Sequence, residues 1–117
     1  MIYNSGMNNQ NKIIAIKEKI EKIMGNRKVQ IHDILLFGSR AKGMGGDTSD
    51  YDLLIVTTDT LIKSDKMDLA GELRKALASF DTDIDADIII KSIAEVETSK
   101  ELIGNVMREA LKEGIHI

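Results

Sequence analysis

The chain contains no cysteine, which excludes disulfides, thiol nucleophiles and thiolate metal sites and accords with a reducing compartment. Aromatic residues are 3% of the sequence, too few for a platform on which single-stranded bases stack. No apolar run nears the roughly 20 residues that span a bilayer. Met1 to Gln10 is polar and lacks the basic, apolar and small-residue succession of a secretory leader. Basic charge is short as well: 16 Lys and Arg stand against 19 Asp and Glu, for a net charge of −3. The broad basic surface that grips phosphate backbones is therefore missing, and direct nucleic-acid binding is not expected. A cytoplasmic location without membrane association is the expectation.

What is present is enough apolar material to fold. Of 117 residues, 43% are hydrophobic and 30% charged, which suits one compact domain and argues against disorder. Residues 1–10 are expected to be a flexible tail and residues 11–117 a single domain. From Lys12 to Met24, the residues Ile13, Ile16, Ile20, Ile23 and Met24 recur at helical spacing, and Gly25-Asn26 supplies a stop. Ile34 to Phe37 reads as a buried strand ending at Gly38, followed by a loop through Gly43, Gly45, Gly46 and Ser49. Asp50 to Thr57 reads as a second strand.

Ser64 or Asp65 is placed to cap a helix whose buried stripe is Leu69, Leu73, Leu77 and Phe80. Asp83 to Ile90 follows as a third strand. Thr98 and Glu101 have capping-box spacing before a last helix that carries Leu102, Ile103, Val106, Met107, Ala110 and Leu111 and closes at Gly114. Ile115 to Ile117 is a tail free to join the sheet or to dangle. This order predicts an α/β (α+β) fold, a small mixed sheet flanked by helices.

The acids fall at positions with consequences. Side chains alternate along a strand, so Asp50 and Asp52 share one face with Cα atoms about 6.5 to 7 Å apart. Two carboxylates converging on one point suit Mg²⁺, which takes oxygen ligands and is commonly held by one or two carboxylates plus substrate phosphates. Asp85 and Asp87 likewise share a face of the third strand. If that strand lies beside the second, one of them completes a three-carboxylate cluster whose repulsion calls for a cation. Upstream, a helical turn starting near Ser39 would aim free N–H groups at an anion, with Gly38 allowing close approach and the Ser39 hydroxyl donating a further bond.

Gly38-Ser39, ten intervening residues, then Asp50-Tyr51-Asp52 resembles the signature of the polymerase-β-type nucleotidyltransferase superfamily. The fuller runs Gly38-Ser39-Arg40-Ala41-Lys42-Gly43 and Ser49-Asp50-Tyr51-Asp52-Leu53 are similar to its minimal nucleotidyltransferase (MNT) branch, the antitoxin partners of HEPN-domain toxins. The resemblance spans Ile34 to Gly114 and implies the palm-like nucleotidyltransferase fold. It implies that Asp50 and Asp52 bind Mg²⁺. A third acid, matched best by Asp87 and alternatively by Asp85, joins them and can activate the attacking hydroxyl. Gly38 and Ser39 would seat the triphosphate of ATP or another NTP, and Arg40 could reach a phosphate or a partner. Lys42 stands where the branch often has Arg, so a bidentate contact there is replaced by a point charge. The implied chemistry is nucleotidyl transfer around two Mg²⁺ ions roughly 3.5 to 4 Å apart. The implied acceptor is a hydroxyl of a partner such as a HEPN toxin, and the chain could assemble as an oligomer. The competing readings are an antitoxin that neutralises its partner by occlusion and a module that binds nucleotide without transfer.

Other patterns lead elsewhere or nowhere. The series Asp81, Asp83, Asp85, Asp87 opens like a calcium loop, but no register supplies the Gly and Glu that such a loop requires. Asp81 and Asp83 then read as a solvated strand entrance. His32 and His116 are the only histidines. Neither lies at metal-ligand spacing from another, so both read as surface or edge residues.

Overall fold

The computed structural model describes residues 9–38, 51–79, 84–102 and 114–117. The elements in chain order are α1 (Asn9–Asn26), β1 (Ile31–Phe37), β2 (Tyr51–Thr57), α2 (Lys63–Leu77), β3 (Ala86–Ser92), α3 (Ile93–Leu102) and β4 (Ile115–His116). Among the described residues the strands form one four-stranded sheet in the order β3-β2-β1-β4. β2 runs parallel to β3 and antiparallel to β1, and β4 is antiparallel to β1. This is the mixed, helix-flanked sheet expected above. The tail joins the sheet, since Leu36 is paired with Ile115.

β1 and β2 read as continuous apolar runs because both faces of the sheet are covered. On one face, Ile34, Leu36, Tyr51, Leu53 and Ile55 meet Ile16 and Ile20 of α1 and Leu69, Leu73 and Leu77 of α2 in the larger apolar cluster. On the other, Leu35, Phe37, Leu54 and Val56 meet Val96 of α3, with Ile89 and Ile93 packed against them. Full burial of such a side chain contributes about 1.5–3 kcal/mol, so the alternation of faces is held by several residues at once.

Several boundaries differ from expectation, each for a local reason. Gly25 does not end α1. The chain continues to Asn26, and Lys28 takes the left-handed turn at φ 60°. There the Lys28 N–H bonds to the Gly25 carbonyl at 3.0 Å and the Val29 N–H to the Met24 carbonyl at 2.9 Å, the pairing of a Schellman motif. β1 starts at Ile31, three positions earlier than its apolar run, because the register shifts between Ile31 and Asp33 and leaves His32 as the extra residue of a bulge. α2 begins at Lys63, so neither Ser64 nor Asp65 is its cap. Ile62 occupies that place without a side-chain hydrogen bond, and Asp65 sits in the first turn, where its charge suits the dipole. β3 is Ala86–Ser92, shifted towards the C-terminus. Phe80, Asp81, Asp83 and the last helix beyond Leu102 lie outside the described residues.

The capping box also moves. Thr98 lies within α3, its hydroxyl donating to the Ala94 carbonyl at 3.1 Å. The residues that exchange bonds are Ser92 and Glu95: the Ser92 N–H donates to Glu95 Oε1 at 2.8 Å, and the Glu95 N–H to Ser92 Oγ at 3.1 Å. Lys66 of α2 donates to Glu95 Oε2 and ties the two helices together. Burial works to raise the Glu95 pKa, but the bonds from Lys66 and the Ser92 N–H, with attraction to Lys66 and Lys91, outweigh it and hold the carboxyl below its usual 4.5. A depressed carboxyl stabilises the fold above its unfolded value and loses that contribution as pH falls through the folded value. Glu95→Gln keeps the box and removes the charge. It is expected to cost at most about 1 kcal/mol at pH 7, and urea unfolding should show the gap to the parent closing once the pH drops well below 4.5.

Candidate functional site

One rung of the sheet carries the acids. Phe37, Asp52 and Asp87 are Cα partners across β1, β2 and β3, so the C-terminal end of β1 and the N-terminal ends of β2 and β3 meet at one edge of the domain. The parity is enforced by packing. Tyr51, only 2% exposed, is anchored in the larger cluster, which turns the next side chain, Asp52, to the opposite face. Ala86 and Ile88 do the same for Asp87 between them. Asp52 is half-buried and Asp87 exposed. Neighbouring strands lie about 4.8 Å apart, so the two carboxylates are adjacent like charges open to solvent on one side.

Gly38 follows at the end of β1 with φ +76°, a conformation that side chains with a Cβ rarely adopt. A Cβ built there would stand 2.3 Å from Asp52 Oδ2 and 3.3 Å from its Cγ. Glycine is therefore needed twice, for the turn and for the space that the Asp52 carboxylate occupies. Phosphate approach is the role the sequence leads one to expect of Gly38; its contact with Asp52 depends on the β1–β2 register, which residue spacing does not give.

Asp85 is exposed and stands ahead of β3, where its carbonyl accepts the Tyr51 N–H at 2.9 Å. The register thus sets Asp87, and not Asp85, opposite Asp52. Ser39, Arg40, Lys42 and Asp50 lie outside the described residues. Among the described residues no group of three or more His, Asp or Glu is placed to hold a metal. The rung brings together two carboxylates, Asp52 and Asp87, hard anionic oxygen donors of the kind Mg²⁺ takes.

The histidines are brought together although nothing in their spacing suggested it. His32, Asp33, Glu97 and His116 line a cavity of about 190 Å³ floored by Leu35 and Val56, and His116 Nδ1 lies 2.6 Å from Asp33 Oδ2. The bulge at His32 and the pairing of β4 with β1 create this neighbourhood.

The family description Polymerase beta, Nucleotidyltransferase matches residues 18–115, which takes in every element from within α1 to β4. The chain belongs to this nucleotidyltransferase family. No curated protein matches its sequence. Among solved structures, a toxin–antitoxin complex with AMP-PNP is 26% identical, over 86% of this chain and 70% of its own, with a TM-score of 0.55. A variant of the toxin–antitoxin complex MntA–HpeT is 27% identical over the same shares, 86% and 70%, with a TM-score of 0.54. A protein described as a minimal nucleotidyltransferase is 21% identical and similar in fold, covering 97% of this chain and 100% of its own with a TM-score of 0.61. The rung of Asp52 and Asp87 beside Gly38 is thus found in a nucleotidyltransferase domain whose neighbours include toxin–antitoxin complexes. Among the described residues no helix of this domain is long and apolar enough to cross a membrane.

Proposed function

We propose that this nucleotidyltransferase domain moves a nucleoside monophosphate from ATP or another NTP to a hydroxyl of a partner protein, a HEPN-type toxin, and so serves as its antitoxin. Asp50, Asp52 and Asp87 would hold Mg²⁺, and Gly38 and Ser39 would seat the triphosphate. The observation that carries the reading is the register of Asp52 with Asp87 beside a glycine whose missing Cβ leaves room for the Asp52 carboxylate. The AMP-PNP held by one similar complex supports a nucleoside triphosphate as donor, and the toxin–antitoxin make-up of the neighbours supports a toxin as acceptor.

The chemistry balances simply. The acceptor oxygen bonds to the α-phosphorus, the bond to the pyrophosphate oxygen breaks, and the hydroxyl proton passes to the exposed Asp87 carboxylate. Bound Mg²⁺ would supply charge neutralisation for the triphosphate and the departing pyrophosphate. Asp52, fixed between β1 and β3, positions; Asp87, open to solvent, can take and release a proton.

Incubation with Mg²⁺, labelled ATP and a HEPN-type protein tests this. Label on the partner and pyrophosphate in equal amount are expected. Absence of both, with toxin neutralisation that survives Asp50→Ala with Asp52→Ala, would assign the domain to occlusion instead.

A further inference from the structure

The outer edge of β3 presents a self-complementary strand, and we infer that two copies of this chain associate there, β3 to β3 and antiparallel, joining their sheets. β3 ends the sheet order, so among the described residues nothing pairs with its far side. Which backbone groups face outward follows from one bond. The Tyr51 N–H donates to the Asp85 carbonyl, and in a parallel ladder the alternation then turns the polar groups of Asp85, Asp87, Ile89 and Lys91 towards β2. Those of Ala86, Ile88, Ile90 and Ser92 point away from the sheet.

An exposed edge of this kind templates strand addition unless charge guards it. Here the guard is of both signs. The run is Asp87-Ile88-Ile89-Ile90-Lys91, and its charged ends share the face of Ile89. Two such strands laid antiparallel with Ile89 on the dyad set Asp87 opposite the partner's Lys91, and Lys91 opposite the partner's Asp87. Ile88 and the partner's Ile90 exchange the outward backbone bonds. The charged pairs then occupy the positions without backbone bonds, where Cα atoms approach to about 4.5 Å rather than about 5.5 Å, the closer of the two spacings for side chains.

Shifting the pairing by two residues takes Asp87 away from the partner's Lys91, and in one direction leaves Asp85, which stands ahead of β3, as the acid opposite it. Within one copy Lys91 attracts Glu95, whose two oxygens already accept from Lys66 through Oε2 and from the Ser92 N–H through Oε1. Beside the edge, an open cavity of about 270 Å³ between α2 and β3 is lined by Met67, Ala70, Ile88 and Ile90 together with the cations Lys66 and Arg74. Met67, 64% exposed, is the apolar surface that a second copy would cover. The association rests on β3 alone. Because it sets the partner's Lys91 beside the Asp87 carboxylate proposed above for Mg²⁺ and proton transfer, the paired edge and the loaded site compete for that side chain.

Charge exchange tests it. Sedimentation equilibrium of the full chain, 13.0 kDa, should show a monomer–dimer equilibrium. Lys91→Asp, which sets two Asp against two Asp, should weaken association about tenfold or more, and Asp87→Lys with Lys91→Asp should restore it to within about threefold. Isotope-filtered nuclear Overhauser spectra of a mixed-label parent sample should show Ile89 of one copy against Ile89 of the other. That measurement stands even if a variant fails to fold. A chain that stays monomeric at millimolar concentration, or a dimer indifferent to these exchanges and lacking the Ile89 contact, would overturn the inference.

Discussion

Asp52→Asn is expected to lower nucleotidyl transfer by at least about a thousandfold, roughly 4 kcal/mol of transition-state stabilisation, while unfolding free energy changes by no more than about 1 kcal/mol. The substitution keeps the side-chain shape and removes one of two like charges on adjacent strands. In the absence of metal the fold is therefore relieved of repulsion even as the proposed donor set is broken. Pyrophosphate release read in parallel with urea unfolding separates the two effects. Activity that persists in a folded Asp52→Asn protein would remove Asp52 from the site.

The second large effect is expected at Gly38. Gly38→Ala places a methyl group in a left-handed conformation, which costs about 1–2 kcal/mol, and drives it towards Asp52 Oδ2, 2.3 Å from the ideal Cβ. The carboxylate must turn aside or the β1–β2 junction must open. A drop of at least about a hundredfold in transfer is expected, since displacement by about 1 Å suffices for that. The loss has a signature that plain backbone strain lacks. In an Asp52→Ala background the clash is gone and only the conformational cost remains, so a double-mutant cycle on stability should show coupling of about 1 kcal/mol between the two positions. Additive costs would mean that Gly38 serves the turn and not the carboxylate.

Of the candidate site, the face on which each described acid lies was legible in the sequence, and the rung they share was not. Alternation along a strand puts Asp52 on the face opposite Tyr51 whatever the tertiary structure, and the apolar run behind each acid forces the strand to be buried. What alternation could not supply was register. That Asp87 stands across from Asp52 while Asp85 spends its carbonyl on Tyr51 depends on where two strands of distant sequence come to rest. Boundaries differ from the sequence expectation where polar side chains serve regular structure. His32 is absorbed by a bulge, and Asp33 continues the strand by pairing with Val56. Ser92 ends β3 and caps α3 at once, so the junction offered no loop to mark the change. Lys28 in the left-handed region made Gly25 and Asn26 misleading as stop signals. Ser39 and Asp50 lie outside the described residues, and their roles stand as proposals from motif spacing.

Paramagnetic broadening tests the metal–nucleotide site most directly. With Mn²⁺ in place of Mg²⁺ and a non-hydrolysable ATP analogue present, amide signals should fade first at Gly38, Asp52 and Asp87, the residues gathered at the end of β1, β2 and β3. The cavity of His32, Asp33, Glu97 and His116 serves as an internal control, because its imidazoles and carboxylates are not gathered in a set that would hold a metal. Broadening centred on that cavity, or none near Asp52 and Asp87, would contradict the account.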